Sequence, residues 1–360
     1  MSRATGRAGP LPEASELLVV VGGGGVGKTT LAAAIAQGLA RDGEEALVMT
    51  FDPSLRLKDV LGLAEGGEEE ARVASVGRGT LWASLLDARR VFDRIVDTYA
   101  PDGDAAERIR ANPYYRHLAG RLAGILEYMA VERLWEAAGD RRWSRIVLDT
   151  PPAQQVLDFL DAPRRIVEFL DSGALKMARM RWFDEAGRLA PARRLGGVGR
   201  KLEAYLDRVV GLDLLRDMLE FFHAFAPLLE GFRERALAVE ALLRSERVGF
   251  LLVAPAGAHR VGGTMHFARA LTDRGLRVAG VVVNRVHPET PEPGARAPAG
   301  EVLMHWLGGV DAAGLAALEG LLPAGLWRAV LPLEARPPTD LASLALLSRR
   351  LGGAWRRGRS

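Results

Sequence analysis

The sequence predicts an α/β fold: a doubly wound, mostly parallel sheet built around a phosphate loop, with an inserted helical subdomain. Three observations carry that expectation. The stretch Gly22-Gly23-Gly24-Gly25-Val26-Gly27-Lys28-Thr29-Thr30 fits the pattern G-x-x-x-x-G-K-[ST] without a mismatch, between an apolar run suited to a buried parallel strand (Leu17–Val21) and a helical pattern (Leu31–Leu39). Strand-like runs then alternate with helical patterns along the chain. Two stretches, at about 87–140 and 155–245, are helical and poor in strand signals, as an inserted subdomain would be.

Taken in order, residues 1–15 read as a disordered lead-in, 16–350 as one nucleotide-binding domain, and 351–360 as a basic tail. The strand candidates are Leu17–Val21, Ala46–Phe51, Leu81–Leu85, Arg145–Leu148, Gly249–Ala254, Val278–Val283 and Arg328–Leu331. His287–Gly300 is rich in proline and glycine and reads as a mobile surface loop. No internal repeat is present, which excludes a tandem duplication within the chain.

The loop's residue types follow from phosphate chemistry. Glycines let successive backbone N–H groups curl around phosphate oxygens along a path that side chains would block. Gly24, Gly25, Val26, Gly27, Lys28, Thr29 and Thr30 are therefore the candidate nucleotide-binding residues. Lys28 brings a point charge to the β- and γ-phosphates, the Thr29 hydroxyl is a candidate ligand of Mg²⁺, and the helix N-terminus adds partial positive charge. A flexible linker would need none of this. Lysine is also scarce, with Lys28, Lys58, Lys176 and Lys201 the only four against 44 arginines, so a lysine at the fixed position is no accident of composition.

The bulk composition removes other classes. At 360 residues the chain buries a large core. The net charge of +3 argues against a dedicated nucleic-acid binder. With no cysteine, disulfides, thiolate metal sites and cysteine nucleophiles are excluded. The six histidines, His117, His223, His259, His266, His287 and His305, do not cluster in sequence. The first sixteen residues lack the apolar core of a signal peptide, and no segment approaches the ~20 apolar residues of a membrane span. A cytoplasmic location is expected, or one peripheral to the inner face of the membrane.

Hydrolysis needs a metal holder and a residue that positions water. Asp52-Pro53-Ser54 follows the second strand; Asp52 either accepts a hydrogen bond from the attacking water or belongs to a plain Asp-Pro turn. Asp149-Thr150-Pro151-Pro152 follows Arg145–Leu148; Asp149 is the candidate Mg²⁺ holder, against a capping role at a strand end. Asp52 and Lys28 are the candidate catalytic residues, and Thr29 and Asp149 the candidate metal residues. Asn284, after Val281-Val282-Val283, offers both a donor and an acceptor, which suits the edge of an adenine ring.

Together these segments resemble the arsenical-pump-driving and tail-anchored-protein-targeting ATPases, a phosphate-loop class that dimerises around its nucleotide. The resemblance covers most of residues 17–350. The family's first switch looks like Asp52-Pro53-Ser54-Leu55-Arg56-Leu57, and its second, Asp-Thr-x-Pro, matches Asp149-Thr150-Pro151-Pro152. Its adenine-contacting Asn matches Asn284, and its Leu-Pro-Leu segment, which lies against the base, matches Leu331-Pro332-Leu333. The resemblance implies ATP and Mg²⁺ as ligands, a homodimer or a dimer with a paralogous subunit, and a protein client or membrane partner. Three departures stand out. The extra lysine that family members often carry near the start of the loop, and which reaches the neighbour's phosphates in a dimer, is Gly23 here. Arg56 is a candidate replacement. The cysteines of the targeting branch's zinc clamp are absent, and so are the thiolates that sense arsenite.

Leu214, Met218, Phe221, Phe225, Leu228 and Phe232, widened by Leu215, Phe222 and Leu229, form an apolar stripe at helical spacing. It reads as subdomain core or a partner-subunit interface, with a client-helix groove as the functional alternative. Lys176–Lys201 reads as a basic solvated loop. Leu341–Leu351, followed by Arg356-Arg357, reads as a last helix packing on the sheet, with membrane anchoring as the alternative. The expected function is Mg²⁺-dependent ATP hydrolysis coupled to a partner or client. The alternative is a membrane- or partner-positioning nucleotide switch of the partition or cell-division type, with negligible turnover.

Overall fold

The computed structural model describes residues 11, 15–51, 56–63, 70–111, 125–172, 228 and 231–357. The chain divides into two compact units: residues 1–86, 136–157 and 241–360, and residues 87–135 and 158–240.

The first unit is an α/β layer structure. Its central strand, β1 (Leu17–Gly22), is buried along its whole length, as expected of an unbroken apolar run in a sheet covered on both faces. The other strands are β2 (Glu45–Thr50), β3 (Glu70–Val76), β4 (Gly79–Leu85), β5 (Arg145–Asp149), β6 (Val248–Pro255), β7 (Val278–Val286), β8 (Trp327–Pro332) and β9 (Arg356–Arg357). They form one nine-stranded sheet in the order β3-β4-β2-β5-β1-β6-β7-β8-β9. Every neighbouring pair from β4 to β8 is parallel. Only the outermost strands, β3 on β4 and β9 on β8, run antiparallel. Every expected strand is present, and each observed span overlaps its expected one.

Helix α1 (Lys28–Asp42) follows the phosphate loop and ends at Gly43, whose left-handed φ of 111° lets its N–H return to the Ala40 and Leu39 carbonyls. Its run Leu31–Ala36 is fully buried. Four alanines in that run let the helix approach the sheet closely. The opposite side of α1 is covered by the last helix, α9 (Leu341–Ala354), after the short α2 (Arg56–Leu61) and the helices described next. Leu344, Leu347 and Leu351 of α9 join the same core as α1, and Gln37 Nε2 donates to the Leu341 carbonyl at 2.8 Å. The C-terminal stripe is thus consumed by the core, as the packing reading expects. Arg356 and Arg357, in the basic tail, pair antiparallel with β8.

Further along the chain come α3 (Ala88–Tyr99), α4 (Gly103–Ala111), α5 (Ile125–Gly139), α6 (Ala153–Leu170), α7 (Val261–Thr272) and α8 (Ala299–Leu321). The second unit contains α3, α4, most of α5 and α6, and helical residues 231–240. Asp87 caps α3 by accepting from the Arg89 and Arg90 amides. This unit has a buried ionic group: Arg235 Nε donates to Glu132 Oε2 at 2.5 Å, and the side chains are 7% and 2% exposed. Tyr128 donates its hydroxyl hydrogen bond to the other carboxylate oxygen of Glu132. The Arg235 guanidinium stands 4.1 Å from the Tyr99 ring centre. Burial, with Glu132 beside it, holds the Tyr128 phenol protonated well above its ordinary range.

Of the apolar stripe, Leu228 and Phe232 are described and buried, and Phe232 meets Tyr128 edge-on with ring centres 5.0 Å apart. Leu214, Leu215, Met218, Phe221, Phe222, Phe225 and Leu229 lie outside the described residues, as do Lys176–Lys201 and all of residues 1–15 except Leu11 and Ser15. Of the loop expected at His287–Gly300, residues 287–298 have no regular helix or strand, while Ala299 and Gly300 already belong to α8, to which the loop is tied. The His287 amide and Nδ1 both contact Asp311 Oδ2, at 2.9 and 2.8 Å, and His305 Nδ1 contacts the Thr290 carbonyl at 2.8 Å. Among the described residues no helix is long and apolar enough to cross a membrane.

Candidate functional site

The site is built at one edge of the sheet because parallel strands end there together. Gly22 closes β1, Thr50 closes β2, Asp149 closes β5, Asn284 lies near the end of β7 and Pro332 closes β8. The register fixes them as neighbours: Asp149 pairs with Val20 on one side and Thr50 on the other, Gly22 with Val253, Pro255 with Asn284, and Pro332 with Val286. The strand order turns at β1, which has β5 on one side and β6 on the other. Ligands of open α/β sheets bind outside the carboxyl ends of the strands at such a switch.

Within the phosphate loop, Gly25 and Gly27 adopt left-handed φ values of 73° and 95°. Side chains resist that conformation, which explains glycine at both positions. At Gly22 the demand is close approach: a Cβ there would stand 2.3 Å from the Val253 carbonyl oxygen. Around Gly24 and Gly25 a Cβ would meet nothing within 4 Å, so the exposed crest of the loop borders open space. Lys28 is buried, and its ammonium donates to the Gly23 carbonyl at 2.9 Å, folding the lysine back across the loop. Thr29 and Thr30 follow in the first turn of α1, half-buried.

Asp149 is fully buried and accepts from Thr50 Oγ1 at 3.1 Å. The next residue, Thr150, donates its hydroxyl to the Val20 carbonyl at 2.7 Å. The Asp149-Thr150 turn is therefore pinned to β2 and β1 at once. Thr150 belongs to the Asp149-Thr150-Pro151-Pro152 segment singled out in the sequence, whereas Thr50 carries no expectation there; its only signal is a polar residue closing a buried strand.

Asn284 Nδ2 donates to the Val26 carbonyl at 2.8 Å, which places this side chain on the phosphate loop and leaves its oxygen as an acceptor. Gly27, Thr30, Asn284, Arg285, Pro332 and Leu333 line a cavity of about 170 Å³. That volume is below the ~300–1000 Å³ of a whole drug-sized ligand site, and suits a ring bound beside the loop. Lys28, Gly24, Gly25 and Val26 thus lie in the loop, Gly27 and Thr30 belong to both loop and cavity, and Asn284 and Pro332 meet in the cavity. Asp52 lies outside the described residues, as do Pro53, Ser54 and Leu55.

The donor set fits a magnesium-bound polyphosphate. The exposed crest at Gly24 and Gly25 borders open space, the ammonium of Lys28 is in the loop, and the Thr29 hydroxyl and Asp149 carboxylate are hard oxygen donors. Among the described residues no cluster of three or more His, Asp or Glu could hold a metal alone. Magnesium commonly takes only one or two carboxylates, with phosphate oxygens and water completing its shell.

The chain is 30% identical over 312 residues to an uncharacterized protein of Streptomyces coelicolor, covering 84% of this chain and 71% of that protein. It is 25% identical over 276 residues to ATPase GET3 of Malassezia globosa, covering 76% and 73%. It is 32% identical over 157 residues to an ATPase ASNA1 homolog of Babesia bovis, covering 43% and 40%. In that protein and two further relatives the match spans 26% to 40% of the relative's length. The profile described as anion-transporting ATPase matches residues 15–298, which is most of the chain. The chain belongs to the anion-transporting ATPase family.

Proposed function

We propose that the protein binds and hydrolyses MgATP as a nucleotide-gated dimer, and couples turnover to a partner or client protein. The observation that supports this best is the convergence of Lys28, Thr29, Asp149 and Asn284 at one sheet edge around an open glycine crest. Lys28 and the loop amides hold the phosphates. Thr29 and Asp149 hold Mg²⁺, which when bound neutralises charge on the transferring phosphoryl group. Asn284 and Pro332 hold the base in the 170 Å³ cavity. Asp52 orients the attacking water.

Coupling has a covalent route. Helix α6 begins four residues after Asp149 and carries the chain out of the first unit at residue 158. A change at residues 149–152 when the γ-phosphate leaves is passed to that helix.

The test is phosphate release from MgATP by the whole protein, alone, over a range of protein concentrations, and with liposomes. Lys28→Ala serves as the control, and the expected result is turnover that this substitution abolishes. Equal hydrolysis by the variant would remove the nucleotide reading. A wild type that binds MgATP without turnover, and attaches to liposomes, would support the positioning-switch alternative instead.

A further inference from the structure

Arg285 is the only non-glycine residue with a left-handed φ, 62°, among the described residues. L-residues seldom adopt that conformation, and its occurrence at a ligand edge calls for a reason. The strand is irregular at the same place. Val283 of β7 pairs with Val330 of β8, and Val286 pairs with Pro332, so β7 carries one extra residue in this interval. That is a β-bulge, a device that re-aims side chains.

What it re-aims is legible in the hydrogen bonds. Consecutive side chains of a regular strand point to opposite faces. Here both members of the Asn284-Arg285 pair reach the phosphate loop. Asn284 Nδ2 donates to the Val26 carbonyl, and Arg285 Nη1 donates to the Gly25 carbonyl, each at 2.8 Å. Two successive loop carbonyls are thereby drawn toward β7. Across a trans peptide the carbonyl and the following N–H point in opposite directions, and no peptide bond among the described residues is cis. Drawing in the Gly25 and Val26 carbonyls therefore turns the Val26 and Gly27 amides away from β7. Outward-turned successive amides are what an anion-binding loop needs.

We infer that Arg285 is a positioning residue of the nucleotide site: it holds the Gly25 carbonyl so that the loop amides are set for phosphate before the ligand arrives. The inference rests on the nucleotide reading above. Arg285 is exposed, so the bond fills no core position, and a role in overall stability gives no reason for the left-handed backbone.

Arg285→Gly is the test, because glycine keeps the left-handed backbone without strain while removing the guanidinium. MgADP affinity is measured by calorimetry at low and at moderate salt, and the ligand-free melting temperature is measured in parallel. The expected result is about tenfold weaker MgADP binding at both salt concentrations, with a melting temperature unchanged or raised. Unchanged affinity overturns the inference. So does a lowered ligand-free melting temperature, which would make Arg285 structural. A deficit that vanishes with salt also overturns it, since a screened charge would then account for the effect. A wild type that fails to bind MgADP overturns the nucleotide reading itself, and is distinguishable because it precedes any comparison with the variant.

Discussion

Gly27→Ala concentrates the strain that the phosphate loop avoids. Gly27 has φ 95°, and a Cβ there would stand 2.5 Å from Asn284 Nδ2. Holding alanine in the left-handed region costs roughly 1–2 kcal/mol. The Asn284 amide must also move, and it is not free to do so cheaply because it donates to the Val26 carbonyl at 2.8 Å. Losing that bond costs about 0.5–1.5 kcal/mol. The sum is about 1.5–3.5 kcal/mol, which at 1.4 kcal/mol per decade is a tenfold to few-hundredfold loss in affinity if the loop takes the whole cost on binding. Calorimetric titration with MgADP reads that part, and urea denaturation of the ligand-free protein reads whatever part the folded state already bears. The two losses together are expected to fall in that range. A double-mutant cycle with Asn284→Ala adds a sharper check: with the amide gone the alanine has nothing to strike, so the two effects should be less than additive by about 0.5–1.5 kcal/mol. Affinity and stability both within twofold of wild type, or strict additivity, would refute the steric account of Gly27.

The remaining expectations concern the switches, the dimer and the second unit. Asp149→Asn should weaken Mg²⁺ dependence and slow turnover together, while Asp52→Asn should preserve MgATP binding and slow hydrolysis by ~10²–10⁴-fold; equal, mild effects from both would mean the roles are misassigned. Gly23→Lys should fold normally, since a Cβ there meets only Val26 Cγ1 at 3.7 Å. If a cation in trans is what this chain lacks, the variant should hydrolyse faster, increasingly so at higher protein concentration, with up to ~10³–10⁵ available from such a charge. A rate that ignores both the lysine and the concentration would speak against a missing trans contact, and Arg56→Ala would then show whether arginine already fills the role. Glu132→Ala leaves the Arg235 guanidinium buried without its carboxylate and should lower the unfolding free energy by about 3–5 kcal/mol; a loss under about 1 kcal/mol in urea denaturation would mean that water reaches the arginine.

The parallel sheet was legible because its strands are buried on both faces and therefore read as unbroken apolar runs. Val19-Val20-Val21 and Val281-Val282-Val283 leave no alternative. β3 was not legible for the opposite reason. Glu-Ala-Arg-Val-Ala-Ser-Val is an edge strand with mostly half-exposed positions, and the charges that protect an open edge also erase the apolar pattern. β9 is two arginines long, and only the proximity of β8 makes a strand of them. A chain segment of that length has no local preference strong enough to read. The loop at 287–298 shows a different limit: proline and glycine marked the absence of helix correctly, but the ties that hold it reach residues 305 and 311 on the next helix.

The site divides along the same line between local and distant. Gly22–Thr30 is a contiguous motif whose chemistry is written in adjacent residues, so it could be read directly. The residues that hold the motif in shape are far away in the chain. Thr50 meets Asp149 across 99 residues, Thr150 meets Val20 across 130, and Asn284 and Arg285 meet the loop across 258 and 260. Asn284 stands out in the sequence because an amide suits a purine edge, and in the fold one of its two amide N–H donors goes to the loop. One side chain thus ties the backbone of the glycine-rich loop to the cavity that suits a ring. Arg285 stands out in the sequence only as the neighbour of Asn284, with no role of its own, since one arginine among 44 is unremarkable in composition. Its meaning lies in a backbone angle and a bulge, which arise only when β8 is laid beside β7. The motif specifies what is bound. The geometry that binds it well is supplied by strand ends that no local pattern connects, and the clamp on Gly25 and Val26 is where substitutions should separate affinity from stability.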